Sequence, residues 1–321
     1  MQVGVIGAGA IGGWLTAGCV DAGASVTVLA RGASFEALRQ DGLCIDNGTA
    51  QKTYAINATK DAADLRGVDV LVLGLKAHDL PTAAPLIEAA MDNHTIVVPA
   101  INGLPWWFFD SFGGPAQGVR IDAVDPGGVL SDLMPSDRVV GSVVYAASFV
   151  SAPGKIRLIN ANTLWLGDVG GGNHAKVLAE FFNNGDIPAV ATKDLHWQVW
   201  NKLWGNANAN PLSALTRADI AQLYSDEYVV PFAKSVMQEM SDLGTRIGLP
   251  GFDDIDRRIN DARQLGAFKT SMLQDVEAGR PIELEPILGG LVELARHLDH
   301  PTPMMDTLYG LARLLDRNLR D

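Results

Sequence analysis

Apolar and β-branched residues crowd into a short run from Gln2 to Ile6, break at Gly7-Ala8-Gly9-Ala10-Ile11-Gly12, and resume from Trp14 to Val20 at helical spacing. That order predicts strand, glycine loop, helix. A second β-branched run, Ser25 to Ala30, follows at the distance of one βαβ crossover, which makes the two strands parallel. Val68 to Leu75 and Thr95 to Ala100 repeat the unbroken apolar pattern of strands covered on both faces, with a helix predicted over Leu80 to Met91 between them.

After Asn102 the pattern shortens. Arg120 to Val124, Val139 to Val150, Lys155 to Ile159 and Thr163 to Leu166 read as short strands set off by Asp125-Pro126-Gly127-Gly128 and Ala152-Pro153-Gly154, which predicts antiparallel pairing at the sheet edge. Beyond Leu195 the strand patterns stop. His196 to Ala209, Ser225 to Ile247, Phe252 to Ala278, Ile287 to Leu298 and Pro303 to Asn318 carry helical spacing, broken by Pro211, Pro250, Pro281 and Pro301; Pro211 disfavours helix at Asn210 itself. The expected fold class is α/β, with an N-terminal Rossmann-type doubly wound sheet over residues 1–192 and an all-α C-terminal domain over 193–321.

The length of 321 residues suits two domains, and a chain that is 47% hydrophobic and 19% charged has the material for their cores. A formal charge of −12 repels polyphosphate backbones, so no nucleic-acid partner is expected and any anionic ligand needs a local site. Cys19 and Cys44 form no CxxC pair and read as buried, reduced thiols. The chain runs from Met1 straight into a strand pattern with no basic leader, and no window approaches the roughly 18 apolar residues of a membrane span, so a soluble cytoplasmic protein is expected. No metal is expected: His78, His94, His174 and His196 are scattered, and His297 with His300 lacks a third ligand.

Gly-x-Gly-x-x-Gly is specific here because a strand precedes it, a helix opens on it and a second strand follows. Gly7 allows the tight turn, Gly9 lets the backbone approach a pyrophosphate, and Gly12 lets helix and strand pack closely. At the end of the second strand an NAD site presents a carboxylate to the ribose, whereas this chain has Ala30-Arg31-Gly32. A guanidinium there suits a 2′-phosphate, so NADPH/NADP+ is the expected cofactor. Lys76 and Asn102 each follow a buried strand at its carboxyl end, where ligands of open α/β sheets bind.

Lys202, Asn206 and Asn210 recur every four residues among Trp197, Trp200, Leu203 and Trp204, which places a polar stripe on one helical face. That stripe is either a candidate site or a solvated face. Farther on, a helix over Thr270 to Ala278 ends at Gly279-Arg280-Pro281 before the next begins. Glu283 stands near that next N-terminus, where helix-dipole placement alone is a sufficient reason for it, and Asp275 with Arg280 reads equally as a surface pair.

Together these motifs resemble the ketopantoate reductase (2-dehydropantoate 2-reductase) family over nearly the whole chain: Gly7 to Gly12, Leu75-Lys76-Ala77, Asn102-Gly103, Lys202-x-x-x-Asn206-x-x-x-Asn210-Pro211-Leu212, and Thr270-Ser271-Met272-Leu273-Gln274-Asp275 through Glu283. The resemblance implies a Rossmann-type NADP domain followed by a helical domain, with a small 2-keto acid bound between them and reduced in the pantothenate and coenzyme A pathway. It implies that Lys202 is the catalytic lysine and Glu283 its acidic partner, that Gly7, Ala8, Gly9, Ala10, Ile11, Gly12, Arg31, Lys76 and Asn102 meet the cofactor, and that Lys76, Asn102, Asn206, Asn210 and Ser271 meet the substrate.

The aromatic run Pro105-Trp106-Trp107-Phe108-Phe109, with Trp197, Trp200 and Trp204, departs from most of that family and reads either as helix packing or as the lining of a site for a bulkier 2-keto acid that would yield a D-2-hydroxy acid. A non-catalytic NADP redox sensor is the reading from outside enzymology, and it has no use for the lysine and glutamate pair. A homodimer is compatible with an apolar face on the helical domain.

Overall fold

The computed structural model describes residues 1–320. Its chain divides into two units: Met1–Asn102 with Gly128–Leu195, and Gly103–Gly127 with everything from His196 onward. A division at Thr192 by sequence position differs from this chiefly in the Gly103–Gly127 excursion, which packs with residues far ahead of it.

The first unit runs β1 (Gln2–Ile6), α1 (Ala10–Asp21), β2 (Ser25–Leu29), α2 (Gly32–Asp41), β3 (Leu43–Asp46), β4 (Gln51–Tyr54), β5 (Asn57–Thr59), β6 (Val70–Leu73), α3 (Leu80–Ala90), β7 (Ile96–Pro99), α4 (Val129–Leu133), β8 (Val140–Ala152), β9 (Lys155–Asp168), α5 (His174–Asn184) and β10 (Ala189–Ala191). One sheet has the order β5-β2-β1-β6-β7, all parallel. Counted within that sheet, this is the Rossmann order, and the direction of winding reverses between β1 and β6. Ile6 pairs with Leu29 on one side and Leu73 on the other, and Leu73 pairs with Pro99, so four carboxyl ends lie level.

A second sheet has the order β10-β9-β3-β4, with β8 antiparallel to β9. This corrects the expectation of an edge extension. The first sheet is joined next to the start of β8, through the Val97–Val139 bridge just ahead of it and a hydrogen bond from Ser142 Oγ to the Pro99 carbonyl, 2.7 Å. The two short strands expected over Lys155–Ile159 and Thr163–Leu166 are one strand of 14 residues, whose register shifts against β8 absorb the polar interruption. Residues Gly12 through Cys19 of α1 are all buried, because the helix packs against strands of both sheets.

The expected strand over Arg120 to Val124 is a set of turns. The Asp122 and Ala123 amides donate to the Glu293 carboxylate at 2.8 Å each, and the Val124 and Asp125 amides to the Ile121 carbonyl, so these donors are taken up outside any ladder.

The second unit is helical, its core helices being α6 (Leu195–Thr216), α7 (Ile220–Ser225), α8 (Val229–Ile247), α9 (Ile255–Arg263), α10 (Ser271–Glu277), α11 (Gly290–His297, entered through a π turn over Glu285–Gly289) and α12 (Pro303–Arg320). α6 continues through Pro211, contrary to the expected break. A proline inside a helix costs about 3 kcal/mol, which burial of Leu203, Trp204, Ala207, Leu212 and Ala214 offsets. The apolar stretch Phe252 to Ala278 divides into α9 and α10, because Gly266 turns the chain at φ 62° and the Gly266 and Phe268 carbonyls accept from the α7 amides of Ala221 and Ile220. No helix among the described residues is long and apolar enough to cross a membrane.

Candidate active site

At the end of β1 the backbone requires glycine. Gly7 has φ 103°, and a Cβ there would stand 2.8 Å from the Gly74 carbonyl; a Cβ at Gly12 would overlap the Gly7 carbonyl. Gly74 completes this interlock from the end of β6, since its own Cβ would reach Gly12 Cα at 2.6 Å. Sequence reasoning passed over Gly74, although a lone glycine in the apolar run Val70 to Leu75 was a usable signal.

Gly9 is different. A Cβ there would meet only the Gly74 carbonyl at 3.6 Å, an ordinary contact, so nothing in the protein itself demands glycine. Gly9 caps α1 without a side-chain hydrogen bond, and no acidic residue stands in the first turn, which leaves a helix N-terminus suited to an anion. The missing Cβ therefore suits a ligand that approaches closely, as a dinucleotide pyrophosphate does. Ala8, Ala10 and Ile11 are half-buried in the same loop.

Gly7 donates to the Leu29 carbonyl at 3.4 Å, so the exposed Arg31, two residues beyond Leu29, stands on the glycine-loop side of the sheet. Its neighbours Ala30, Gly32 and Ala33 supply no carboxylate. Lys76 and Asn102, each three residues past a level strand end, are both half-buried at the same carboxyl edge.

In the second unit α6 carries Lys202, Asn206 and Asn210 on one face. Lys202 and Asn206 are half-buried, and Asn210 is 5% exposed. The residues that flank this stripe are packed: Trp200, Leu203 and Trp204 are buried, and Trp204 Nε1 donates to the Met237 carbonyl at 3.0 Å. Burial brings the Lys202 ammonium down to about 8, against the opposing pull of Glu283. Glu283 is itself buried, at 7% exposure, and lies just ahead of the π turn.

Ser271 is the first residue of α10, exposed, behind the capping Thr270 whose hydroxyl accepts from the Leu273 amide at 3.1 Å. Asp275 and Arg280 are not a surface pair. Asp275 is buried, and Arg280 closes the end of α10 through its Nε to the carboxylate at 3.0 Å and its amide to the Asp275 carbonyl at 2.8 Å.

The aromatic residues around Phe108 pack on one another. Phe108 meets Phe109, Phe112, His196 and Trp200 with ring centroids 4.9 to 6.1 Å apart, and Trp107 packs against Phe108 and His196. Trp107, Phe108, Phe109 and Trp200 are fully buried, while Trp197 stacks on Phe252 at 5.4 Å. His196 belongs to this cluster rather than to the surface, and burial pushes it below the usual imidazole range against a hydrogen bond with the Phe108 backbone. Cys19 is buried, its thiol pushed up to about 12 by desolvation, whereas Cys44 is only half-buried.

Residues 3–106 match the profile described as ketopantoate reductase PanE/ApbA, and residues 194–316 match that of its C-terminal part. A 2-dehydropantoate 2-reductase of Mesorhizobium japonicum is 40% identical over 318 residues, which cover 98% of each chain. A crystal structure assigned as a ketopantoate reductase, from Ralstonia solanacearum MolK2, superposes with a TM-score of 0.93 at 38% identity, over 99% of this chain and 98% of that one. D-mandelate dehydrogenase in complex with NADH and anilino(oxo)acetate shares the fold, with a TM-score of 0.85 at 17% identity over the whole of both chains.

Proposed function

The chain belongs to the ketopantoate reductase family, and from that premise we propose that it reduces 2-dehydropantoate (ketopantoate) to pantoate with NADPH, Lys202 serving as the general acid. It is an oxidoreductase acting on CH–OH groups, as its relatives are. The pathway this reading supplies is that of pantothenate and coenzyme A.

When bound, NADPH supplies hydride to the 2-keto carbon. As hydride arrives, negative charge develops on the keto oxygen; the Lys202 ammonium stabilises that charge and donates its proton to the oxygen. Desolvation favours this step, because a lysine at about 8 gives up a proton far more readily than one in water. The Glu283 carboxylate keeps enough of the ammonium form present near neutrality. Asn206 and Asn210 offer amide donors and acceptors one and two turns beyond Lys202, suited to a hydroxyl or a carboxylate, and Ser271 adds a hydroxyl. In the first unit the glycine loop would hold the pyrophosphate, and the Arg31 guanidinium would pair with the 2′-phosphate.

The observation that carries this reading is a desolvated lysine opposed by a buried carboxylate, on the helix that also bears Asn206 and Asn210. Trp107 and Trp200 are buried in the second unit and packed on Phe108, which supports ketopantoate over a bulkier acid as the substrate. With NADPH as reductant, kcat/KM for ketopantoate should exceed those for 2-ketoisovalerate and phenylpyruvate. Preference for phenylpyruvate would overturn the substrate assignment and leave the chemistry standing.

A further inference from the structure

The segment around Glu283 is gripped from one side by α12. Before it, the Ile282 amide donates to Asp316 Oδ1 at 2.9 Å; after it, the Tyr309 hydroxyl donates to the Glu285 carboxylate, at 2.9 Å from Oε1 and 3.0 Å from Oε2. Tyr309 and Asp316 are seven residues apart, two helical turns on one face, separated by a rise of about 10 Å. Ile282 and Glu285 are three residues apart, so the two clamps bracket Glu283 along the chain.

Neighbouring features serve the same arrangement. Gly289 stands one turn beyond Glu285, where a Cβ would overlap the Glu285 carboxylate and crowd the Tyr309 ring. The Pro286 carbonyl accepts from the Leu104 amide at 2.6 Å, a third tether at the start of the π turn. Arg313, on α12 between the two clamps, is a cation that acts on both Tyr309 and Glu285; Asp316 and Glu293 are the further acids that bear on Glu285. Burial is the largest influence on Glu285 and raises it above the usual carboxylate range, while the Tyr309 hydrogen bond opposes that rise.

We propose that Tyr309 and Asp316 are positioning residues of the reaction: they act through the backbone on either side of Glu283 and set where its carboxylate stands relative to the Lys202 ammonium. This rests on the reading of Lys202 and Glu283 as the acid–base pair. A sub-ångström drift of a group that tunes a proton donor is costly, and a misplacement of about 1 Å lowers rates by as much as 100-fold. The C-terminal helix, which carries no residue of the site, thereby becomes part of its support.

The test uses Tyr309→Phe, which removes only the hydroxyl, with Asp316→Ala and Asp316→Asn. Asparagine keeps an oxygen that accepts from the Ile282 amide, so it is the rescue variant. Steady-state kcat should fall about 10-fold in Tyr309→Phe and in Asp316→Ala, with the KM for NADPH unchanged, and Asp316→Asn should recover most of it. The basic limb of the kcat profile should move to lower pH in the two impaired variants, because a displaced Glu283 opposes the desolvation of Lys202 less. Wild-type kcat and an unmoved limb in folded Tyr309→Phe overturn the proposal, whatever the fate of Asp316→Ala. Glu283→Gln, run beside them, separates the two failures: if it leaves kcat and the limb where they were, the acid–base reading itself falls and takes this proposal with it.

Discussion

Burial pulls the Lys202 ammonium down to about 8, and the Glu283 carboxylate opposes that pull. Reduction consumes a proton and needs the ammonium form. The rate of reduction should therefore be level below about 8 and fall as pH rises through it, while the reverse oxidation should rise over the same interval. Replacing Glu283 by Gln removes the group that raises the lysine, so the basic limb of kcat should shift to lower pH. A pH profile at saturating cofactor reads both effects, and a limb displaced upward would contradict the assignment.

The glycine loop separates packing from binding. Gly12→Ala drives a methyl group into the Gly7 carbonyl and should cost about 1–3 kcal/mol of stability. Gly9→Ala meets only the Gly74 carbonyl at 3.6 Å, so its melting temperature should remain within a few degrees of wild type. Its KM for NADPH should nevertheless rise, by about 10-fold, because the added carbon occupies the approach to the pyrophosphate. Thermal melts set beside cofactor titrations distinguish the two variants.

Arg31 is exposed at the end of β2 and has no carboxylate beside it in sequence. Charge-assisted hydrogen bonds to a 2′-phosphate contribute about 1.5–3 kcal/mol. Arg31→Ala should therefore weaken NADPH by about 10- to 100-fold and leave NADH nearly untouched. Comparing kcat/KM for the two cofactors checks this, and a wild-type preference for NADH would sink it.

Trp107 is 1% exposed and packs on Phe108 and His196. Trp107→Phe should cost about 0.5–3 kcal/mol of stability, read by denaturant unfolding. Its ratio of kcat/KM for ketopantoate over phenylpyruvate should match that of the wild type, whereas a ring that met substrate would shift it.

Local features were the legible ones. The turn at Gly7, the parallel strands on either side of it and the polar stripe of α6 follow from periodicity and backbone constraints within a few residues. Arg120 to Val124 was misread because the acceptor that takes its amides, Glu293, lies about 170 residues onward, and no local pattern announces such a partner. The passage of α6 through Pro211 is likewise decided by burial in the folded unit, which outweighs a local preference. The aromatic run beside Asn102 was legible as buried, but whether its partners were protein or ligand depended on His196 and Trp200, nearly 90 residues away. Of the candidate site, residue types were readable and their tuning was not: the state of Lys202 depends on its own burial and on the Glu283 carboxylate, which the fold sets.

Turnover of ketopantoate by Lys202→Ala at neutral pH, with NADPH affinity measured on the same sample, bears most directly on the chemistry. Loss of a general acid predicts a fall in kcat of about 100- to 10,000-fold with cofactor affinity retained. A variant that binds NADPH normally and turns over near the wild-type rate would contradict it.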